Sequence, residues 1–201
     1  MVDKQGSIYY QNLEDFDFDR ACNFLVKEGI FLYNKSHDGK IIALDDVGDD
    51  YEISYEQTKQ KALSGNMFNV KIWLNYRWRI IWTFRSRNNC FVLDFHLFSL
   101  FDEERDKVSK IFFKFFLHEV FSNTQSLLGI VIDKHGETYE DDFDPVFFTD
   151  TEEVDYVTDL ICLPQEKFGL VVMEPGFAMK ELDNGFICAS RYPEFLDYLL
   201  S

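Results

Sequence analysis

Between residues 68 and 98 the chain alternates apolar and polar positions with a period of two. Phe68, Val70, Ile72 and Leu74 form one apolar set; Trp78, Ile80, Trp82 and Phe84 form a second; Phe91, Leu93, Phe95 and Leu97 form a third. A strand turns successive side chains to opposite faces, so each set predicts one inward face. The links NYR and SRNN are hairpin-sized, so the three strands are predicted to make an antiparallel meander. Lys71, Arg79 and Arg85 then share the opposite face with Trp73 and Ile81.

Elsewhere the period lengthens. Over 17–28, Phe18, Ala21, Cys22, Leu25 and Val26 follow helical spacing, with Asp15 or Asp17 to cap the start and Gly29 to end it. Ser54-Tyr55-Glu56-Gln57 is a capping box opening a short helix that Gly65 closes. The longest helix is predicted at 102–121. Ser99 or Asp102 caps it, Asp102, Glu103 and Glu104 complement its dipole, and a wide apolar stripe runs through Val108, Ile111, Phe112, Phe115 and Val120, broadened by Phe113, Phe116, Leu117 and Phe121.

Turn residues mark the remaining boundaries. Asp38-Gly39 predicts a hairpin between 30–34 and 40–44, and Asp183-Asn184-Gly185 a second between FAMKEL and FICAS. Residues 45–52 read as an acidic loop. Residues 127–133, 156–163 and 168–173 read as strands, and Pro193 as the first residue of a closing helix. Hairpin strands mixed with a few helices indicate one α+β domain over residues 1–201: a mainly antiparallel sheet, comprising the 68–98 meander and C-terminal hairpin strands, packed by the helix near 102–121 and shorter helices.

The chain has 201 residues, of which 46% are hydrophobic and 22 are Phe, enough for a sizeable core. Its net charge is −16, and the charge is polarised. Residues 137–159 hold ten carboxylates and no Lys or Arg, whereas 71–87 hold five basic residues and no acid. A field this negative repels nucleic-acid backbones and anionic membranes, so neither is an expected partner. It favours a basic protein, which it would steer inward. Trp73, Tyr76, Trp78 and Trp82 lie among Arg77, Arg79, Arg85 and Arg87, a composition that suits a protein interface better than strand stacking. The start of the sequence lacks the basic and apolar regions of a signal peptide, and no run approaches the 18 or so apolar residues of a membrane span. Cys22, Cys90, Cys162 and Cys188 are far apart in apolar contexts, which reads as reduced, buried thiols in a cytoplasmic protein, with a disulfide or metal site between distant cysteines as the alternative.

Candidate chemistry is sparse. Asp94 and His96 share one strand face, read as a polar outer surface, with an acid/base pair as the alternative. Asp133, His135 and Glu137 bring three metal-type ligands together, yet a turn around Gly136 accounts for them equally well, so no metal or other cofactor is expected. Asp45, Asp46, Asp49 and Asp50 lack the spacing of an EF-hand loop. His118 lacks a histidine one turn away, and the chain contains no GxGxxG, GxxxxGK[ST] or GxSxG.

The run LLGIVIDKHGETYEDDFDPVFF (127–148), following the helix DEERDKVSKIFFKFFLHEVF, shows an apolar strand, an Asp, a Gly-containing turn, acidic residues and an aromatic-Asp pair. This pattern resembles small bacterial immunity proteins of polymorphic or contact-dependent toxin systems and related uncharacterised families. The resemblance implies a cytoplasmic, non-enzymatic protein that occludes one cognate toxin, its acidic surface mimicking the phosphate substrate of a basic nuclease. Glu140, Asp141, Asp142, Asp144, Glu152, Glu153 and Asp155 are the expected docking residues, followed by Asp45, Asp46, Asp49 and Asp50. Two other readings stand beside it: an enzyme assembled around His96 or His135, and a structural protein that self-associates through its Trp/Arg face.

Overall fold

The computed structural model describes residues 6–35, 38–97, 100–122, 127–133, 143–148, 158–171 and 176–197. Among the described residues, twelve strands form a single open sheet in which every pairing is antiparallel. In chain order they are β1 Gly6–Tyr10, β2 Ile30–Phe31, β3 Tyr33–Asn34, β4 Lys40–Leu44, β5 Asp50–Ile53, β6 Phe68–Leu74, β7 Trp78–Arg87, β8 Cys90–His96, β9 Leu127–Ile132, β10 Leu160–Pro164, β11 Ala178–Glu181 and β12 Phe186–Ser190. The spatial order is β11-β12-β10-β9-β1-β8-β7-β6-β4-β3, with β2 on β6 and β5 on β4. The helices are α1 Phe18–Lys27, α2 Tyr55–Ala62, α3 Asp102–Ser122, α4 Asp144–Phe148, α5 Gln165–Phe168 and α6 Pro193–Leu196.

The α+β class and the 68–98 meander are as the alternation predicts. Both meander turns hold two consecutive residues in the left-handed region, Asn75-Tyr76 and Asn88-Asn89, as does Asp38-Gly39. That geometry matches the natural twist of a hairpin. Tyr76 is bulky for such a position, and its ring stacks on Phe31 at 4.0 Å. The Asp17 side chain caps α1, and the Ser54/Gln57 capping box closes the start of α2.

One face of the sheet carries the main core. Ile8, Tyr10, Ile72, Trp82, Phe84, Leu93 and Phe95 pack there beneath α1, α2, α3 and α6. The rings of Phe95 and Phe112 stack at 4.0 Å. Glu119, on the buried side of α3, is matched by Arg20, whose Nε and Nη2 each donate at 2.7 Å. The opposite face carries a smaller core under α4 and α5, built on Tyr9, Val92, Val131, Ile161 and Ala189. Gly129 stands where β9 shifts register against β1. Its φ is +150°, and a Cβ there would sit 2.4 Å from the carbonyl oxygen of Cys162, so the close approach of β9 and β10 requires glycine.

Several expectations change. The strand β1 was not anticipated, yet it is central. The acidic 45–52 segment is the tip and second strand of the β4–β5 hairpin, because Asp50–Ile53 pairs with β4. The described part of 168–173 is the end of α5 followed by a turn, with a single bridge residue at Val171. Phe121 and Val26 are exposed, at 65% and 46%. Cys162 and Cys188 are not free thiols: they face each other directly across β10 and β12 and form a disulfide, with Cα atoms 4.0 Å apart. Their separation of 26 residues in sequence hides this proximity. Cys22 and Cys90 remain free. No helix among the described residues is long and apolar enough to cross a membrane.

Candidate functional site

The second face of the sheet divides into two halves. Its strands present Ser7 and Tyr9 from β1, Asn69, Lys71 and Trp73 from β6, Arg79, Ile81, Thr83, Arg85 and Arg87 from β7, and Val92, Asp94 and His96 from β8. The half around β1, β9 and β10 lies under α4 and α5. The half around β6 and β7 floors a concave site of about 590 Å³, walled by the β4–β5 tip (Asp45 to Gly48) and by Met67.

A buried charge cluster marks the border. Asp144, at the start of α4, is 1% exposed. It accepts from the Tyr9 hydroxyl at 2.8 Å, from Arg85 Nη1 at 2.8 Å and Nη2 at 2.9 Å, and from Arg87 Nη1 at 3.3 Å. Arg85 Nε donates to Asp94 at 2.6 Å, and the Ser7 hydroxyl donates to the same carboxylate at 2.6 Å. Burial alone would lower the Arg85 pKa, but the bonds and fields of Asp144 and Asp94 outweigh it and hold the guanidinium well above its ordinary value. The Tyr9 hydroxyl is pushed well above its ordinary value by burial first and by Asp144 next.

Two expectations are corrected here. Asp144 was expected among the partner-facing carboxylates, but it points into the molecule because Arg85 and Tyr9 need a counterpart under α4. Asp94 and His96 were expected on an open polar surface, but they are 2% and 5% exposed. His96 Nε2 lies 3.2 Å from Thr83 Oγ1, and that hydroxyl donates to Asn69 Oδ1 at 2.6 Å. Thr83 has a single proton, so in this arrangement it accepts from a His96 Nε2–H. His96 is therefore not placed to take a proton from Thr83.

The site's acidic wall is differently disposed. Asp45, Asp46 and Asp49 are exposed. Asp45 also holds the turn, accepting from the backbone N–H of Val47 at 3.0 Å and of Asp49 at 2.8 Å. Asp50 is committed to Lys71, whose side chain is only 8% exposed. At the tip Val47 is 83% exposed, and Met67 beside it is 64% exposed. Glu140, Asp141, Asp142, Glu152, Glu153 and Asp155 lie outside the described residues, as do His135 and Glu137. Asp133 is 5% exposed, and among the described residues no group of three or more His, Cys, Asp or Glu is placed to hold a metal ion.

The aromatic residues of the meander do not form one platform. Trp73 and Trp82 are buried on opposite faces. Trp78 meets Phe101 edge-on at 5.4 Å, with the Arg77 guanidinium 4.7 Å above its ring. Sequence reasoning missed Ser7 and Tyr9, because β1 was not read as a strand, and it missed the Arg85–Asp144 link. A basic residue expected on a sheet face was the available signal that a carboxylate must lie opposite it. No protein-family model, curated protein or solved structure matches the chain.

Proposed function

We propose that this protein is a non-catalytic binding module of the immunity type, which captures a basic protein on its second sheet face. The observation carrying this reading is the β4–β5 tip: three exposed carboxylates, Asp45, Asp46 and Asp49, surround the exposed Val47 beside Met67. Apolar anchors ringed by charge suit a partner with a complementary basic rim. The net charge of −16 would accelerate the encounter. A basic toxin is the partner class that the sequence resemblance suggests. The expectation of a cytoplasmic location rested on reduced cysteines and on the resemblance to immunity proteins; the Cys162–Cys188 bond removes the first of these grounds, since disulfides persist mainly in oxidising compartments.

A catalytic reading around His96 draws on its place in the floor of the same concave site. The proton pattern at Thr83 counts against it, and so does the commitment of Asp94 to Arg85 and Ser7.

The test is a pull-down from the native cells at low and high salt, followed by stopped-flow association with the retained partner. The triple variant Asp45→Asn, Asp46→Asn, Asp49→Asn keeps the side-chain acceptor that holds the turn and removes three charges. Association should slow about tenfold at low salt and converge with the unaltered protein at high salt. An association rate indifferent to both the variant and the salt would sink the steering argument.

A further inference from the structure

The concave site on the second sheet face is lined by charges of both signs that do not meet. Arg79 lines it from β7 and Asp46 from the β4–β5 tip, and both are exposed. Among the described residues neither takes part in an ion pair. The other ionisable groups lining the site have employment of their own. Lys71 and Asp50 neutralise each other, and Asp45 accepts from two backbone N–H groups of its turn. His96 is buried against Thr83.

Strand register keeps the two unpaired charges apart. Arg79 stands opposite Trp73, and Thr83 stands opposite Asn69. These rows are four residues apart along β7, about 13 Å. Leu44 pairs with Asn69, so the tip that follows it lies at or beyond the second row. Arg79 therefore occupies one end of the site and Asp46 the other. Between them Ile81 is half-buried on the floor, and Val47 and Met67 are exposed beside the tip. A guest of one sign would satisfy one end and leave the other unmatched, whereas a guest with a carboxylate and an ammonium meets both. A guanidinium suits a carboxylate because it can bond it with two parallel N–H groups. Length is the second constraint. An extended chain covers at most about 3.3–3.6 Å per residue, so one amino acid is too short to span the rows. Three residues reach about 10 Å, and the long Arg79 side chain closes the remainder. The volume of about 590 Å³ lies in the range of sites that hold small ligands. Apolar side chains laid over Ile81, Val47 and Met67 would remove that surface from water.

We propose that the concave site binds a short peptide of two or three residues with free termini and apolar side chains, its carboxylate on Arg79 and its ammonium on Asp46. The inference goes beyond the partner-docking reading, because it turns on Arg79, which the capture of a basic protein does not use.

The probes are leucyl-alanyl-leucine, its C-terminal amide, its N-acetyl form and free leucine, each titrated into the full chain at pH 7 by calorimetry. The unmodified tripeptide should bind saturably, and each of the other three should bind more weakly by about tenfold or more. Arg79→Gln, a change at an exposed position, should weaken the tripeptide by about tenfold while leaving its amide unaffected, since the amide has no carboxylate to lose. Asp46→Asn should weaken the tripeptide likewise and leave the N-acetyl form unaffected. Thermal midpoints confirm that both variants stay folded. Absence of saturable binding by the tripeptide at millimolar concentrations overturns the proposal. So does a tripeptide affinity that Arg79→Gln leaves intact, or an amide or free leucine that binds as tightly as the tripeptide. Capture of a basic protein is read separately, from its association rate and salt dependence, so either reading can fail alone.

Discussion

Asp144 shows how much one side chain can depend on residues far from it in sequence. It stands in a run of acids and looks like its neighbours, yet Arg85, 59 residues away, draws it inward. Nothing local in the sequence distinguishes a carboxylate bound for Arg85 from one bound for solvent, and for that reason the docking set drawn from the sequence included it. Removing one member of a buried charge cluster leaves the others uncompensated, so Asp144→Ala should cost about 3–5 kcal/mol of unfolding free energy, read from urea titration. Titration at high pH gives a second residue-scale prediction. Cys22 has its folded pKa raised from 9.0 to about 12 by burial, and Tyr9 and Tyr10 are raised well above 10.0 by burial first and by Asp144 and Glu119 respectively. Each is neutral when folded and ionises more readily when unfolded, so each stabilises fully below its unfolded pKa and loses that contribution as pH rises. Stability should fall from about pH 9 upward, by about 1.4 kcal/mol per pH unit for each group in play. Cys90 is raised from 9.0 by burial as well, so Cys22→Ala should lessen the loss between about pH 9 and 10 without abolishing it, as followed by thermal midpoints across the range.

Elements were legible wherever local chemistry alone decides them. The capping box at Ser54, the paired left-handed residues of the hairpin turns, the alternation of the meander and Pro193 at the start of α6 are all short-range signals, and the structure contains them. Ser54→Ala should destabilise by about 1 kcal/mol, because the Gln57 N–H loses its acceptor while the helix remains; denaturant midpoints measure this. Elements were missed where burial erases the pattern. All five residues of β1 are buried, since helices cover one side and α4 the other, so no polar alternation survives to mark it. Residues 168–171 are apolar like a strand but form a helix end and a turn, and runs this short carry no period that separates the two. The concave site shares this limit. Its wall was visible as an acidic segment, but its floor of Thr83, Asn69 and His96 is assembled from three strands by register alone.

At the scale of the molecule, the surplus of acid and the sheet's architecture answer different questions. The charge governs which surfaces are attracted and how quickly, while the fold is set by apolar alternation and turn chemistry. Basic residues on the second face are largely turned to internal use: Arg85 on Asp94 and Asp144, Lys71 on Asp50, Arg87 on Asp144. The place of β1 between β8 and β9 carries a consequence for how the chain reaches this state. The strand is made before both of its neighbours, and one of them does not exist until residues 127–132 have emerged. Until β8 emerges β1 has no neighbour, and until β9 follows it can pair on one side only, so its buried aromatic residues must be kept from wrong partners. Closure of the sheet's centre is thus a late, long-range event in biosynthesis, the kind of step that slows folding and calls on chaperones.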